Sequence, residues 1–529
     1  MATKGKRKAS AESSESIAQK MMDSAGQQPL EFKKIKTDEV SDLLTTAAGI
    51  PVGSSTACLT VGPRGPMLMK DDKYMEEIED FVFSTVRPRI LHAKGCGAFG
   101  TFEVTNDISK YCISAVFANV GKKTPIAVRF SMMNSDLGTP DGNRDIRGFA
   151  IRFYTEQGNW DLVGINQPVF FLRDPFLLAS LSKSLKRNPV TNLKSPEAYW
   201  DFVAHRPETL HIALMNYSDR GTPFSYRHMH GFSVNTFEVI GNEGAITFIR
   251  FHWISNQGLR HLSKEEIKNM NADDPDFAGR DLYNTIAEGK SPSWTLNCQM
   301  MTEEQAKNFK EFDPFDCTKV WSHEEFPLVE IGKITLDKNP KNFYAEIEQL
   351  VFNPANLPPG INPSPDRILQ GRMQIYRESG RHRVGVNFMQ LPVNCPYRGH
   401  VSNYHHGGEM SFKYDDTGKP IYHPNSFGGP NPDPKYRELP IEISGMIDRY
   451  DVGALEDNYK QPQVFFEKVL DEKARVRLIA NIAEHLQHSS PNIQKKMVEH
   501  FTKVHKDLGN GVKKELGKHL NESMTAPAE

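Results

Sequence analysis

The sequence predicts an α+β fold in which a strand-rich first half pairs antiparallel and a helical region follows it. Three observations carry this reading. Between about Thr124 and Trp253, short runs of β-branched and aromatic residues alternate with Gly, Pro, Asn and Asp. The segment IGNEGA (240–245) reads as a tight hairpin between two such runs. After residue 460 the apolar period lengthens from two to that of a helix. Strands followed by helices, without regular βαβ alternation, favour α+β.

Taken in order, residues 1 to about 48 are rich in Lys, Ser, Glu, Ala and Gln and poor in bulky apolar side chains, so they bury too little surface to offset ordering entropy. They are expected to be a mobile extension. Its basic runs, Lys4 to Lys8 and Lys33 to Lys36, are read as a solvated tail in preference to an import or nucleic-acid tract. The predicted strands are IAVRFS (126–131), GFAIRFY (148–154), PVFFL (168–172), TFEVI (236–240) and AITFIRFHW (245–253). In GFAIRFY, Phe149, Ile151 and Phe153 share one face while Ala150, Arg152 and Tyr154 share the other. NPANLPPGINPSPD (353–366) and HPNSFGGPNPDPK (423–435) carry too many prolines for regular elements and are expected to be extended connectors. Val476, Ile479, Ile482, Ala483 and Leu486 form one helical stripe, and Ile493, Met497 and Phe501 form a second after Pro491. The expected divisions are 1–48, the extension; 49–340, the strand-rich part; 341–455, a connector-rich part; 456–510, a helical domain; and 511–529, a tail.

Composition narrows the function classes. In 529 residues, 64 Lys and Arg against 66 Asp and Glu leave a net charge of −2, which argues against a nucleic-acid binder. No apolar run reaches the length needed to cross a bilayer, so neither a membrane nor a nucleic acid is an expected partner. The six cysteines are scattered without a C-x-x-C pair, which predicts a reduced, intracellular protein with no disulfide framework and no thiolate metal site. No P-loop, G-x-G-x-x-G, G-x-S-x-G or H-E-x-x-H occurs, so the common nucleotide, hydrolase and zinc readings fall away.

Two short motifs carry chemistry. RILHAKGCGAFG (89–100) sets His92 between an apolar pair and a small-residue turn, where a histidine is suited to proton transfer, although most histidines are not catalytic. QGRMQIYRESGRHRVG (370–385) puts Arg372 four residues before Tyr376. On a helix these share a face, and the guanidinium favours the phenolate, a hard ligand for Fe(III). By spacing alone the pair is more often an ordinary surface contact.

The order of longer blocks is more specific than either motif. TVGPRGP (60–66), HAKGCGAFGTFEVTNDISKY (92–111), GKKTPIAVRFS (121–131), RDIRGFAIRFYTEQGNWDLVG (144–164), FFLRDP (170–175), LQGRMQIY (369–376) and LPVNCPY (391–397) resemble the monofunctional haem catalases, from about Ala48 to near His505. The resemblance implies an eight-stranded antiparallel β-barrel with a long wrapping loop and a C-terminal helical domain, assembled as a homotetramer. It implies haem b with ferric iron as cofactor and hydrogen peroxide as substrate, converted to water and dioxygen. His92 matches the distal histidine, Ser131 the serine that orients it and Tyr376 the iron ligand. Arg372 matches the arginine supporting that ligand, Arg89, Arg129 and Arg383 match arginines facing the propionates, and Phe170 matches a cofactor contact.

The chain also departs from the family pattern. Ile165 stands where an asparagine should donate to peroxide, and Asn166 beside it would face away in an extended strand unless a bulge intervened. Turnover is therefore expected to be reduced, and a catalytically impaired haem protein acting as a sensor or structural partner is the alternative. Met133 replaces a small valine of the access channel, Leu178 and Leu181 replace phenylalanines, and Asn235 replaces a proximal-side histidine; Phe83 and Pro88 replace an Arg and a Glu. His211, Ser218, Arg220, Trp321 and His323 match an NADPH site, but Ile254 takes a lysine position and His230 and Phe232 replace Asn and Tyr, so NADPH is not expected as a resident cofactor. The expected location is intracellular, cytoplasm or peroxisome, although the final TAPAE is not an S-K-L-type signal and so does not support the peroxisome.

Overall fold

The computed structural model describes residues 43–412, 418–437, 444–453 and 456–525. The predicted extension up to residue 42, with both basic runs, lies outside the described residues. The described residues up to Pro88 form a unit of their own. Its helix, Asp72–Phe83, is capped by Asp71, whose carboxylate accepts from the Tyr74 amide.

The second unit, from Arg89, contains the barrel. Its strands are β1 (Gly95–Val104), β2 (Lys123–Met132), β3 (Arg147–Thr155), β4 (Gly158–Ile165), β5 (Gly231–Phe232), β6 (Phe237–Ile240), β7 (Ile246–Ser255), β8 (Ser293–Thr302), β9 (Val329–Lys338) and β10 (Ile361–Pro363). All pair antiparallel in the order β10-β6-β7-β5-β4-β3-β2-β1-β9-β8, and β8 pairs back onto β7. That last pairing closes an eight-stranded barrel, with β5 and β6 as two stretches of one broken strand along β7. The predicted hairpin is the β6–β7 turn, where Gly244 takes φ 76°. PVFFL does not form a strand. It runs as irregular chain after β4 and leads into the short turn Pro175–Leu177, and Pro168 has no amide to offer a ladder.

The alternation read in GFAIRFY sorts the two faces of the barrel wall. Phe149 meets Trp253 and Trp294 at 5.3 and 5.2 Å, and Phe130 meets Trp294 at 5.7 Å, contacts that cross from β2 and β3 to β7 and β8 and so fill the interior. The opposite face of β2, β3 and β4 points outward beneath the wrapping segment. There Arg152 pairs with Asp161 at 2.7 Å, both fully buried, and donates to Asn394 and Val351 of that segment. Asp161 accepts from the Asn353 amide and the Asn356 side chain, each at 2.8 Å, so one buried ion pair ties strands and wrap together.

The helical stripes settle against Trp200 and Tyr217. Ile493, Met497 and Phe501 are buried as predicted, on the helix Pro491–Val504. In Glu472–Leu486 the buried set is Ala474, Leu478, Ile482, Ala483 and Leu486, and Val476 is 63 % exposed. Two residues turn a helix by about 200°, so a face centred on Leu478 leaves Val476 on the far side. The helices end on Lys506–Thr525. Where they meet the barrel unit's own helices, His485 Nδ1 lies 2.8 Å from both Trp200 Nε1 and Tyr217 Oη, and burial lowers its pKa to about 4. Among the described residues no helix is long and apolar enough to cross a membrane.

Candidate active site

A single row of register partners across the outer face of the barrel sets one side of the site. Ser131 lies opposite Gly148, Gly148 opposite Ile165, and Ile165 opposite Phe232. A Cβ on Gly148 would stand 2.4 Å from Ser131 Oγ and 2.7 Å from His92 Nδ1, so the glycine makes room for both. His92 itself is at φ 62°, a left-handed conformation unusual for histidine. It is held there by its amide, which donates to Met133 O at 2.9 Å, and by Arg129, which donates to the carbonyls of His92 and Ala93 at 2.9 and 3.0 Å. His92 Nδ1 sits 3.0 Å from Ser131 Oγ, while Nε2 has no partner among the described residues. Burial, then Arg129, Arg372 and Arg89, lower the His92 pKa to about 3, so the imidazole is neutral.

Directly opposed residues of an antiparallel pair share a face, so Ile165 projects to the side from which Gly148 faces His92. The β3–β4 register runs unbroken to Ile165. Asn166 is spent elsewhere: its Oδ1 accepts from the Arg147 amide at 2.9 Å and its Nδ2 donates to Arg220 O at 3.1 Å.

Two residues further along the same strands, a distance of about 7 Å, a second row holds Arg129, Ala150 and Val163. Here the Arg367–Val384 helix crosses, capped by Asp366, whose carboxylate accepts from the Leu369 amide. Arg372 and Tyr376 share a face, as their spacing predicts, with Arg372 Nη2 at 3.1 Å from the Tyr376 hydroxyl and 2.9 Å from Val163 O. Arg372 Nη1 also donates to Asn235 Oδ1, and Asn235 Nδ2 donates to Asp366 at 2.8 Å. The asparagine thus bridges the helix cap to the arginine with a group that does not titrate. Tyr376 packs on an apolar cluster of Ala127, Val163, Leu350, Phe352 and Val393 with Phe99 and Ala150.

The arginines form a clamp around one carboxylate. Arg89 Nη1 and Arg383 Nη1 reach the same Glu348 oxygen at 3.1 and 3.2 Å, and both guanidiniums donate to the carbonyls of Glu348 and Leu350. Glu348 ends a widened turn, Tyr344–Glu348, closed by Gln349 N on Tyr344 O. Burial and the neighbouring Arg89 lower the Arg383 pKa to about 10. Arg129 has no carboxylate partner, and its Nε is buried without a hydrogen bond. Three guanidiniums against one carboxylate leave two positive charges over, which suits a cofactor with two carboxylates. With the apolar cluster and a hydroxyl held by Arg372, these residues fit haem.

The remaining predicted residues divide. Phe170 packs against the apolar cluster that also holds Ile165, Met133, Phe232 and Leu181. Of the positions matching an NADPH site, His211 and Arg220 both pack on Phe465, His323 lies 5.9 Å from His252, and Trp321 is buried beneath Arg250. Sequence reasoning missed Glu348 and Gly148. A glycine opening a strand of bulky residues is a readable sign of close approach, whereas nothing in EIEQ marks its second glutamate. Among the described residues, no cluster of His, Cys, Asp and Glu is arranged to hold a metal ion by itself.

A neutral histidine, an arginine-backed tyrosine and an arginine clamp around one barrel face define a haem oxidoreductase. Comparison with known proteins agrees. Residues 45–429 match the Catalase family model and residues 454–516 match Catalase-related immune-responsive. A catalase of Danio rerio is 48% identical over 488 residues, 92% of each chain, and one of Drosophila melanogaster is 46% identical, covering 93% of this chain and 98% of its own. The solved structure of catalase A from Saccharomyces cerevisiae superposes with a TM-score of 0.84 at 35% identity, covering 91% of this chain and all of that one. The chain belongs to the catalase family, whose members use haem to decompose hydrogen peroxide.

Proposed function

We propose that this catalase-type enzyme decomposes hydrogen peroxide to water and dioxygen, at a rate lowered by Ile165. The observation that carries the reading is His92 held neutral against Ser131 on the same barrel face as the Arg372–Tyr376 pair. Bound haem supplies the ferric centre at which the peroxide is oxidised and reduced. His92 takes a proton from one peroxide oxygen and returns it to the other, and Ser131 fixes the ring for both transfers. Tyr376, whose hydroxyl Arg372 Nη2 meets at 3.1 Å, would supply the iron ligand. Arg89, Arg129 and Arg383 would pair with the propionates, and Phe170 would contact the cofactor.

Ile165 supplies no hydrogen bond to peroxide, and both ends of the Asn166 amide are already engaged. Loss of a preorganised donor commonly costs about 2.7–4 kcal/mol of transition-state stabilisation. The same observation favours a second reading, a haem protein that has kept the scaffold for peroxide sensing or as a structural partner. Oxygen release per haem separates the two: sustained evolution supports the enzyme, and haem without oxygen supports the sensor. A homotetramer is the assembly we propose, and the exposed Met410, Phe427, Met446 and Ile447 offer apolar surface for it. The six cysteines are all free, which supports a reducing compartment such as cytoplasm or peroxisome. NADPH is not assigned, because Ile254 brings no cation to its site.

A further inference from the structure

A cavity of about 170 Å³ adjoins the segment that carries His92, lined by Ile90, Leu91, Met133 and Leu185 together with Lys186, Arg187, Lys194 and Asp136. Three cations face one carboxylate. Arg187 takes Asp136 at 2.7 Å, and Lys194 stands 4.0 Å from the same oxygen, so the pair Lys186 and Lys194 is left with carbonyls as its close partners. Lys186 Nζ donates to Ile90 O, and Lys194 Nζ donates to Asn134 O at 2.8 Å. The Asn134 side chain, also at the cavity, has no partner among the described residues. The loop bearing the cations is braced by an antiparallel bridge between Arg187 and Lys194 and by Asn188 Oδ1, which accepts from the amides of Val190 and Thr191.

We propose that this cavity binds a small oxyanion of phosphate or sulfate size, held by Lys186 and Lys194 with the Asn134 amide. Two ammonium groups held on carbonyls, with an amide side chain in the same lining, are elements of oxyanion recognition. Occupancy has a route to the distal side. The turn at His92 is strained, and its carbonyls are held by cations: Ile90 by Lys186, His92 and Ala93 by Arg129. An anion that draws Lys186 away from Ile90 releases one of those restraints. The site does not depend on whether the chain turns over peroxide, so its test and that of the proposed function fail separately.

The test is calorimetric titration of the haem-loaded protein with sodium sulfate replacing sodium chloride at constant ionic strength, with the Soret band followed in parallel. Saturable binding is expected, with an unshifted Soret band. Lys186→Gln/Lys194→Gln should weaken it at least tenfold, Lys194→Gln alone should weaken it while keeping the Lys186–Ile90 contact, and the remote Lys264→Gln should leave it unchanged. The proposal is overturned if no saturable binding is seen or if Lys194→Gln binds like the parent.

Discussion

Gly148 and Ile165 are register partners on β3 and β4, and the face they share is the one toward which His92 turns. One residue gives the histidine room, and the other decides what stands beside it. The site therefore depends on strand register as much as on the residues that carry chemistry.

Gly148→Ala tests the first half of that relationship. The added methyl would lie 2.4 Å from Ser131 Oγ and 2.7 Å from His92 Nδ1, too close for either to stay. Peroxide turnover per haem is expected to fall by at least tenfold while haem content is retained, with a stability loss of about 1–3 kcal/mol typical of overpacking. Paired oxygen-release and urea-unfolding measurements read both, and unchanged turnover would dissociate the His92–Ser131 contact from catalysis.

Tyr376→Phe removes the hydroxyl that Arg372 holds at 3.1 Å and leaves the ring in its apolar cluster. The folded variant is expected to lose tight binding of ferric haem, seen as a collapsed Soret band after gel filtration. A full haem complement with an unchanged spectrum would show that the iron is held elsewhere.

Much of this was legible in the sequence. The alternation in GFAIRFY separated the two faces of β3, and the four-residue spacing of Arg372 and Tyr376 placed both on one helix face. What was hidden depends on contacts between distant segments. Val476 completes an apolar stripe on paper, but which arc of the helix is covered depends on Trp200 and Tyr217, far away in the chain. Glu348 likewise becomes significant only once Arg89 and Arg383, 259 and 35 residues away, converge on it.

Glu348→Gln tests that convergence. Two like-charged guanidiniums share its carboxylate, so the neutral amide leaves them to repel one another. The expected result is faster release of haem to an apo-haem acceptor, with the fold intact by circular dichroism. An unchanged release rate would mean that backbone carbonyls alone fix Arg89 and Arg383.

Acid should loosen the helical end before the distal histidine titrates. His485 is held neutral with a pKa of about 4 against 6.5 when free, so the unfolded chain binds a proton that the folded chain refuses between those values. Its contribution is complete above about pH 6.5 and declines as the pH falls toward about 4. The urea midpoint should drop across that window, and less so in His485→Gln. An equal drop in both would assign the acid sensitivity to other groups.

The central claim is that a complete haem catalase site works without its distal amide donor. Oxygen released per bound haem per second, compared between the parent and Ile165→Asn, addresses it most directly. Measurable release is expected from the parent, with an increase of up to about 10²–10³-fold in the variant. A parent that releases no oxygen with haem bound, or a variant no faster than its parent, would contradict it.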